Sequence, residues 1–498
     1  MRISILFGGK AGQGPNILTH ILGEAVVKEG YYAFYSRDYQ SLIRGGHNFN
    51  VLTISDEPVY SNDSKIDVLA ALDEGSERVY RNKLKKNCII SKNKHENMHF
   101  AGQLFKILGL DFKILEKALK DLGKRFDENI EEAKKGYGSA NERIKLPKIS
   151  RKVKSSFING SQGISEGAIK SGLDVYYGYP MTPSTPVLME LAQKQYENNF
   201  LVLELENEIA VINAAIGSAM TGAKSMVGTS GGGFDLMTEA LSLTGIAEIP
   251  LVIYLAQRPG PATGVPTYTG QGDLNIARHS GHGEFPRVVI APGDPNECQE
   301  TASQAFYLSQ KFKIPVIVIS DKHLAESSYC LTEEPIITKS QKSTTLKRYN
   351  GYEQEKEGSA TENPDIIKKN VEARLKKGKD IEKESGNFKQ YKIYGKKNSK
   401  NAVISWGSTK GAIVDSIKDL NAEFIQVLYI EPFPKEIGKE IENKNIILVE
   451  NNSTAQLGSL IAEKTGIFID DKNKILRYDG RPFLADELKR EIERRLKK

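Results

Sequence analysis

The chain has 498 residues, with 69 Lys and Arg against 63 Asp and Glu, for a net charge of +6. That length admits about three domains of roughly 150 residues each, and 39% hydrophobic residues with 44 Gly and 19 Pro excludes fibrous or disordered material. The positive excess gathers in 339–400 and 489–498 without interleaved aromatics, which argues against nucleic-acid binding. The longest apolar runs, 251–256 and 315–319, have the length of buried strands, and the apolar stretch at 3–7 is too short for a signal peptide. No membrane association is expected, and a soluble, cytoplasmic protein is.

A first unit is expected over 1–145. A β-branched run at 2–7 leads into Gly8-Gly9-Lys10-Ala11-Gly12-Gln13-Gly14. A helical pattern starts near Asn16 and reads with Ile17, Ile21, Leu22 and Ala25 on one face. Further strands fall at 31–35, 50–54 and 68–72. Segment 104–122 reads as two helices broken at Gly109-Leu110-Asp111, where Asp111 can cap the second. The charged 127–135 stretch closes the unit.

A second unit is expected over 151–330. It opens with a strand at 153–158, a tight turn at 159–163 and a helix at 162–170. Strands then fall at 173–177, 200–203, 224–229, 250–255 and 314–320, and helices at 187–195, 210–219 and 234–243. Such alternation predicts a parallel sheet covered on both faces. Segment 331–398 turns to Lys, Glu, Ser and Asn, and reads as a charged surface excursion with one amphipathic helix near 365–376. A third α/β unit, 399–498, shows strands at 402–405, 424–429 and 445–450 and helices at 409–417 and 455–464.

Several motifs carry chemistry. The first glycine loop follows a strand and opens a helix, a place where free N–H groups favour anions. Its spacing is Gly9-x-x-Gly12-x-Gly14, which is neither the dinucleotide fingerprint nor a P-loop. Ser36-Arg37 also stands where a dinucleotide site would want an acid. NAD(P), another anion such as coenzyme A, and a turn without ligand stay open, with Gly12, Gly14 and Arg44 as candidate anion contacts. Arg44-Gly45-Gly46-His47 fits a phosphate- or carboxylate-binding loop and equally a surface hairpin.

Tyr179-Pro180-Met181-Thr182-Pro183-Ser184-Thr185-Pro186 follows a strand, at the sheet edge where α/β proteins bind ligands. Its prolines stiffen the backbone that displays three hydroxyls, and Ser184 or Thr185 would also serve as a helix cap. Glu204-Leu205-Glu206-Asn207-Glu208 sets acids at a helix N-terminus, where the dipole favours them. Glu208 enters an Ile, Val and Ala run, so its carboxylate is expected to point to a buried or liganded place. Arg258, at the end of another strand, suits a carboxylate clamp. His279-x-x-His282-x-Glu284 has metal-ligand flavour but stands alone, and no metal site is expected. Cys88, Cys298 and Cys330 share no CxxC spacing. A cubane cluster takes four thiolates, so this chain cannot hold one by itself; three buried thiols in a reducing compartment is the plainer reading.

Together these residues resemble the 2-oxoacid:ferredoxin oxidoreductases, in the arrangement with a gamma domain fused ahead of the alpha subunit. Gly8–Gly14 with Tyr39-Gln40-Ser41-Leu42-Ile43-Arg44-Gly45-Gly46-His47 resembles the gamma domain, and Tyr179–Thr185 the alpha subunit's signature. Glu206-Asn207-Glu208-Ile209-Ala210, Thr229-Ser230-Gly231-Gly232-Gly233-Phe234 and Gly281-His282-Gly283-Glu284-Phe285-Pro286-Arg287 extend the likeness. So do Val449-Glu450-Asn451-Asn452-Ser453-Thr454-Ala455-Gln456-Leu457 and Tyr478-Asp479-Gly480-Arg481-Pro482-Phe483. Met181 and Ala455 depart from the usual Ile and Gly.

The resemblance implies an α/β chain: a gamma domain, a pyrimidine-type thiamine-diphosphate-binding domain with a parallel sheet, and a transketolase C-terminal-like domain. It implies that Glu208 bonds the aminopyrimidine of thiamine diphosphate, with Tyr179 and Pro180 beside the cofactor, and that Thr182, Arg258 and Thr267 hold the 2-oxoacid. Coenzyme A would be the acyl acceptor and ferredoxin the electron acceptor. Mg2+ and a 4Fe-4S cluster would belong to a beta subunit, in an alpha-beta heterodimer or a dimer of such heterodimers. The substrate expectation leans to 2-oxoglutarate or a broad range. The competing expectations are a non-catalytic relative and an NAD(P)-binding α/β protein.

Overall fold

The computed structural model describes residues 1–10, 13–40, 45–92, 97–122, 125–149, 155–343 and 347–497. The chain divides into two compact units. The first is Met1–Ile158 with Ser327–Glu334 and Leu484–Arg490; the second is Asn159–Glu326 with Pro335–Phe483 and Glu491–Lys498.

The first unit is built on a seven-stranded sheet. Its order is Leu84–Lys92, Ile66–Ala71, Arg2–Lys10, His47–Ser55, Tyr32–Asp38, Ser328–Leu331 and Ser156–Asn159. Arg2–Lys10 runs parallel to Ile66–Ala71 and antiparallel to His47–Ser55. Helix Pro15–Lys28 buries Leu18, Ile21, Leu22 and Ala25, an i, i+3, i+4, i+7 stripe. Ile17, expected on that stripe, is 50% exposed, because it lies one position off the period. Asp111 accepts the Lys113 amide at 2.9 Å in front of helix Phe112–Leu122, as expected. Strand Leu84–Lys92 was not legible in the sequence: it is an edge strand whose Lys85, Lys86 and Asn87 face solvent, so it lacks an apolar alternation.

In the second unit a seven-stranded sheet has the order Tyr429–Glu431, Val288–Ile290, Pro315–Asp321, Leu251–Gln257, Ser225–Thr229, Val175–Gly178 and Leu201–Glu204. All neighbours pair in parallel except Tyr429–Glu431, which joins antiparallel. A five-stranded sheet, ordered Tyr391–Gly395, Glu423–Val427, Asn401–Trp406, Asn445–Glu450 and Lys474–Leu476, completes the unit. One apolar core spans both sheets, including Ile253 and Ile319 from the first and Ile404 and Trp406 from the second.

Three sequence expectations need correction here. The single strand expected over 424–429 is two: Glu423–Val427 stays in the five-stranded sheet, while Tyr429–Glu431 crosses to pair with Val288–Ile290. Continuous hydrophobicity cannot reveal that change of partner. The tight turn expected at 159–163 is already helix, starting at Gly160, because Asn159 and Gln162 form a reciprocal capping box. The charged 331–398 stretch contains helix Pro364–Ser385, longer than expected, and strand Tyr391–Gly395. Among the described residues, no helix is long and apolar enough to cross a membrane.

Candidate active site

Parallel pairing brings the carboxyl ends of Val175–Gly178, Leu201–Glu204, Ser225–Thr229 and Leu251–Gln257 to one sheet edge, where open α/β sheets bind ligands. Four loops leave that edge, and each carries residues singled out in the sequence.

The loop after Val175–Gly178 holds Tyr179 (38% exposed) and Pro180 (exposed). Ser184 precedes helix Thr185–Asn198 but does not cap it through its side chain. Its hydroxyl donates to the Met181 carbonyl at 2.8 Å, so the capping expectation for Ser184 fails and the hydroxyl stiffens the turn instead. The Thr182 carbonyl accepts Arg258 Nη1 at 2.8 Å. The structure therefore joins Thr182 and Arg258 through the backbone of the one and the guanidinium of the other. Thr267 is buried in the loop beyond Arg258 and hydrogen-bonds to neither.

Helix Glu208–Met220 begins at Glu208 because Asn207, in extended conformation, accepts the Ala210 amide at 2.8 Å. Glu208 is 4% exposed, and its Oε1 is buried without any hydrogen-bond partner. A buried polar atom normally has a partner, so this one is left for something outside the chain. The neighbouring helix Gly231–Ala247 explains how the carboxylate fits. A Cβ on Gly233 would stand 2.5 Å from Glu208 Oε1 and would also clash with Thr229 Oγ1. A Cβ on Gly231 would stand 2.5 Å from Asp273 Oδ2. The glycine run thus clears room for two carboxylates at one helix N-terminus.

Asp273 escaped the sequence reading, and Ser230 entered it only as part of the Thr229–Phe234 motif. Ser230 Oγ and Asp273 Oδ2 are, like Glu208 Oε1, buried and unpartnered. Burial, and then the charge of Asp235, push the Asp273 carboxyl up to about 6, against a lowering by Arg258. Burial lowers Arg258 from its usual range, opposed by Asp273 and then Glu208. The available signal was Gln271-Gly272-Asp273, an acid ending a Gly-rich loop, but nothing in one dimension ties it to Arg258.

The loop 258–273 is strapped to the five-stranded sheet. Gln271 N donates to the Asn451 carbonyl at 2.8 Å, and Asn451 N donates back to Gln271 Oε1 at 3.1 Å. Asn452 Nδ2 donates to the Gln271 carbonyl at 3.1 Å, Thr269 N to the Gly480 carbonyl at 3.2 Å, and Arg481 lies 3.7 Å over the Tyr268 ring. Buried Asp321 accepts from Thr269 Oγ1 and Gln271 Nε2. The motifs at 449–457 and 478–483 thus hold the loop that carries Thr267.

Elsewhere, cavities of about 570 Å3 and about 390 Å3 adjoin Glu284, Phe285 and Arg374, and neither is lined by Glu208 or Arg258. His282 Nδ1 lies 3.0 Å from Ser242 Oγ. Among the described residues, no group of three or more His, Cys, Asp or Glu is arranged to hold a metal. Of the candidate anion contacts in the first unit, Gly12 and Arg44 lie outside the described residues. Gly14 adopts φ 72° in front of helix Pro15–Lys28, where a Cβ would also clash with Asn97. His47 Nε2 stands 3.6 Å from Asp73 Oδ2.

Comparison with known proteins agrees with this architecture. Residues 166–385 match the family described as pyruvate flavodoxin/ferredoxin oxidoreductase, thiamine diP-bdg, and residues 4–96 match pyruvate ferredoxin/flavodoxin oxidoreductase. The chain is 31% identical to the 2-oxoacid:ferredoxin oxidoreductase subunit alpha of Sulfolobus sp, over 98% of this chain and 96% of that one. It is 40% identical to 2-oxoglutarate synthase subunit KorA of Archaeoglobus fulgidus over 34% of this chain and 50% of that one. The fold matches, at a TM-score of 0.89 and 22% identity over 99% of both chains, a 2-oxoglutarate:ferredoxin oxidoreductase from Magnetococcus marinus solved with 2-oxoglutarate, coenzyme A and succinyl-CoA bound.

The protein is an α/β chain whose central parallel-sheet domain is of the thiamine-diphosphate-binding kind. It belongs to the 2-oxoacid:ferredoxin oxidoreductase family, as a relative of its alpha subunits.

Proposed function

We propose that this chain is the alpha subunit of an enzyme that oxidatively decarboxylates a 2-oxoacid to an acyl-CoA and CO2, passing the electrons to ferredoxin. The observation that carries this reading is the buried, unpartnered Glu208 Oε1, facing the edge where Arg258 is tied to the Thr182 loop. The carboxylate fits the ring nitrogen of an aminopyrimidine, which needs an acid-base partner out of water. Thiamine diphosphate supplies, when bound, a nucleophilic carbon and an electron sink.

This chain's residues then have separable tasks. Glu208 holds or yields a proton at Oε1, and Tyr179 and Pro180 border the cofactor. Arg258 keeps free N–H donors for the substrate carboxylate, with Thr182 and Thr267 flanking it. A diphosphate with Mg2+ wants oxygen ligands in a Gly-Asp-Gly…Asn arrangement, which the sequence lacks, and three cysteines fall short of a cubane cluster. Both are assigned to a beta subunit, with one alpha and one beta chain as the minimal unit. The free cysteines fit a reducing, cytoplasmic setting. The substrate assigned is 2-oxoglutarate or a broader set of 2-oxoacids, and coenzyme A is the acceptor, with the glycine loop of the first unit as its candidate contact.

The test is viologen reduction by the anaerobically purified complex, supplied with coenzyme A, thiamine diphosphate, Mg2+ and a panel of 2-oxoacids. Coenzyme-A-dependent reduction is expected, and Glu208→Ala should lower kcat by about 10²-fold or more. Silence towards every 2-oxoacid, from a complex shown to hold the second subunit, cofactor and cluster, would overturn the reading.

A further inference from the structure

Resting on that reading, we propose that Asp273 is a positioning residue that offsets Arg258, so that the 2-oxoacid carboxylate is held in place without being over-stabilised before it leaves as CO2. Asp273 is anchored by its backbone: its N–H donates at 2.9 Å to Oε1 of Gln257, the buried residue directly before Arg258, and Gln257 Nε2 is in turn fixed to the Ser320 carbonyl at 3.0 Å. The carboxylate lies against Gly231, where any Cβ would collide with it, and Oδ2 is buried with no hydrogen-bond partner. Asp273 directly precedes the short helix Leu274–His279, yet its side chain caps nothing. A carboxylate so held, and left unused by the fold, acts on its surroundings by charge.

The charged groups facing it are Asp235 from the Gly231 helix and Arg258 from the strand end, with Glu208 also acting on Arg258. Among the acids that oppose the loss of the Arg258 proton, Asp273 counts first. Its effect on substrate follows from the reaction. The C1–C2 bond breaks, CO2 departs uncharged, and the bonding pair stays with the remaining fragment. The negative charge that Arg258 holds in the bound substrate is therefore lost from the carboxylate in the transition state. An unopposed ion pair would stabilise the ground state more than the transition state, lowering KM and kcat together. Asp273 weakens that ground-state hold while Arg258 keeps its aim.

The experiment is steady-state viologen reduction by the whole complex between pH 5 and 8, with 2-oxoglutarate and pyruvate as probes. Asp273→Asn should lower KM by about three- to tenfold at pH 7.5 and lower kcat by a similar factor, as expected for removing one nearby charge at moderate dielectric. The wild-type KM should tighten as pH falls through 6, where the carboxyl protonates, and the variant should lose that dependence. Asp273→Ser, which removes the same charge with a smaller side chain, should move KM in the same direction. It serves in place of the Asn variant if that chain does not fold. A KM unchanged or raised in the folded variants, or a wild-type pH dependence that persists in them, would overturn the proposal. A wild type silent towards every 2-oxoacid would instead sink the reaction reading. In that event, infrared titration of the full chain tests Asp273 separately: the wild type should lose a protonated-carboxyl band through pH 6 that Asp273→Asn lacks, and absence of that band from the wild type overturns the proposal.

Discussion

Asp273 carries a charge that folding strips of water. Its carboxyl is raised from 3.8 to about 6, by burial first and Asp235 second. The sign follows from proton binding: between those values the folded state holds the proton more tightly than the unfolded chain, so stability falls as pH rises from about 4 to 6 and stays lower above. Asp273→Asn is therefore expected to raise stability at pH 7.5 by about 2–3 kcal/mol, with the gain vanishing near pH 4. Thermal melts of the two chains at pH 4 and 7.5 check this, and equal differences at both pH values would contradict it. Glu208 was legible in the sequence because a lone acid entering an aliphatic run has few places to point. Asp273 was not, since its burial depends on a loop returning to the end of its own strand.

The element that shapes the site is the N-terminal turn of helix Gly231–Ala247. Three consecutive glycines weaken a helix on propensity alone, and clearance explains two of them: Gly231 lies under Asp273 and Gly233 under Glu208. Gly233→Ala should drive Glu208 from its place and depress kcat by at least tenfold, with a lowered melting temperature, because alanine's helix propensity offsets only part of the overpacking against Glu208 and Thr229. The contrasting change, Asn207→Ala, removes the cap of helix Glu208–Met220 and should cost about 1 kcal/mol of stability, read as a lower melting temperature. Helix 409–417 and strand 445–450 were legible to the residue, since both are bounded by small or polar residues around an apolar run. The split at Leu428 was not. Residues on either side of it are equally apolar, and only their pairing partners differ.

Across the molecule, the 258–273 loop gains rigidity through Gln271 from residues as far as 181 positions away. Gln271 ties it to Asn451, Asn452, Asp321 and Trp406. Gln271→Ala would orphan several buried groups at once, each worth about 1–3 kcal/mol, and should raise KM for the 2-oxoacid as the Thr267 loop loosens. Destabilisation without a change in KM would show that the strap does not reach the substrate. By itself the sequence determined the α/β class and the family, and it offered Glu208 as catalytic candidate and Arg258 as substrate-binding candidate, because strand–helix alternation, local capping and short motifs are properties of neighbouring residues. Only the tertiary structure decided that Arg258 meets the Thr182 backbone, that the glycine run houses two carboxylates, and that Asp273 is held beside the residue preceding Arg258. The physical reason is that burial, unmet hydrogen bonds and the Coulomb field at a carboxylate are set by atoms brought together from distant parts of the chain.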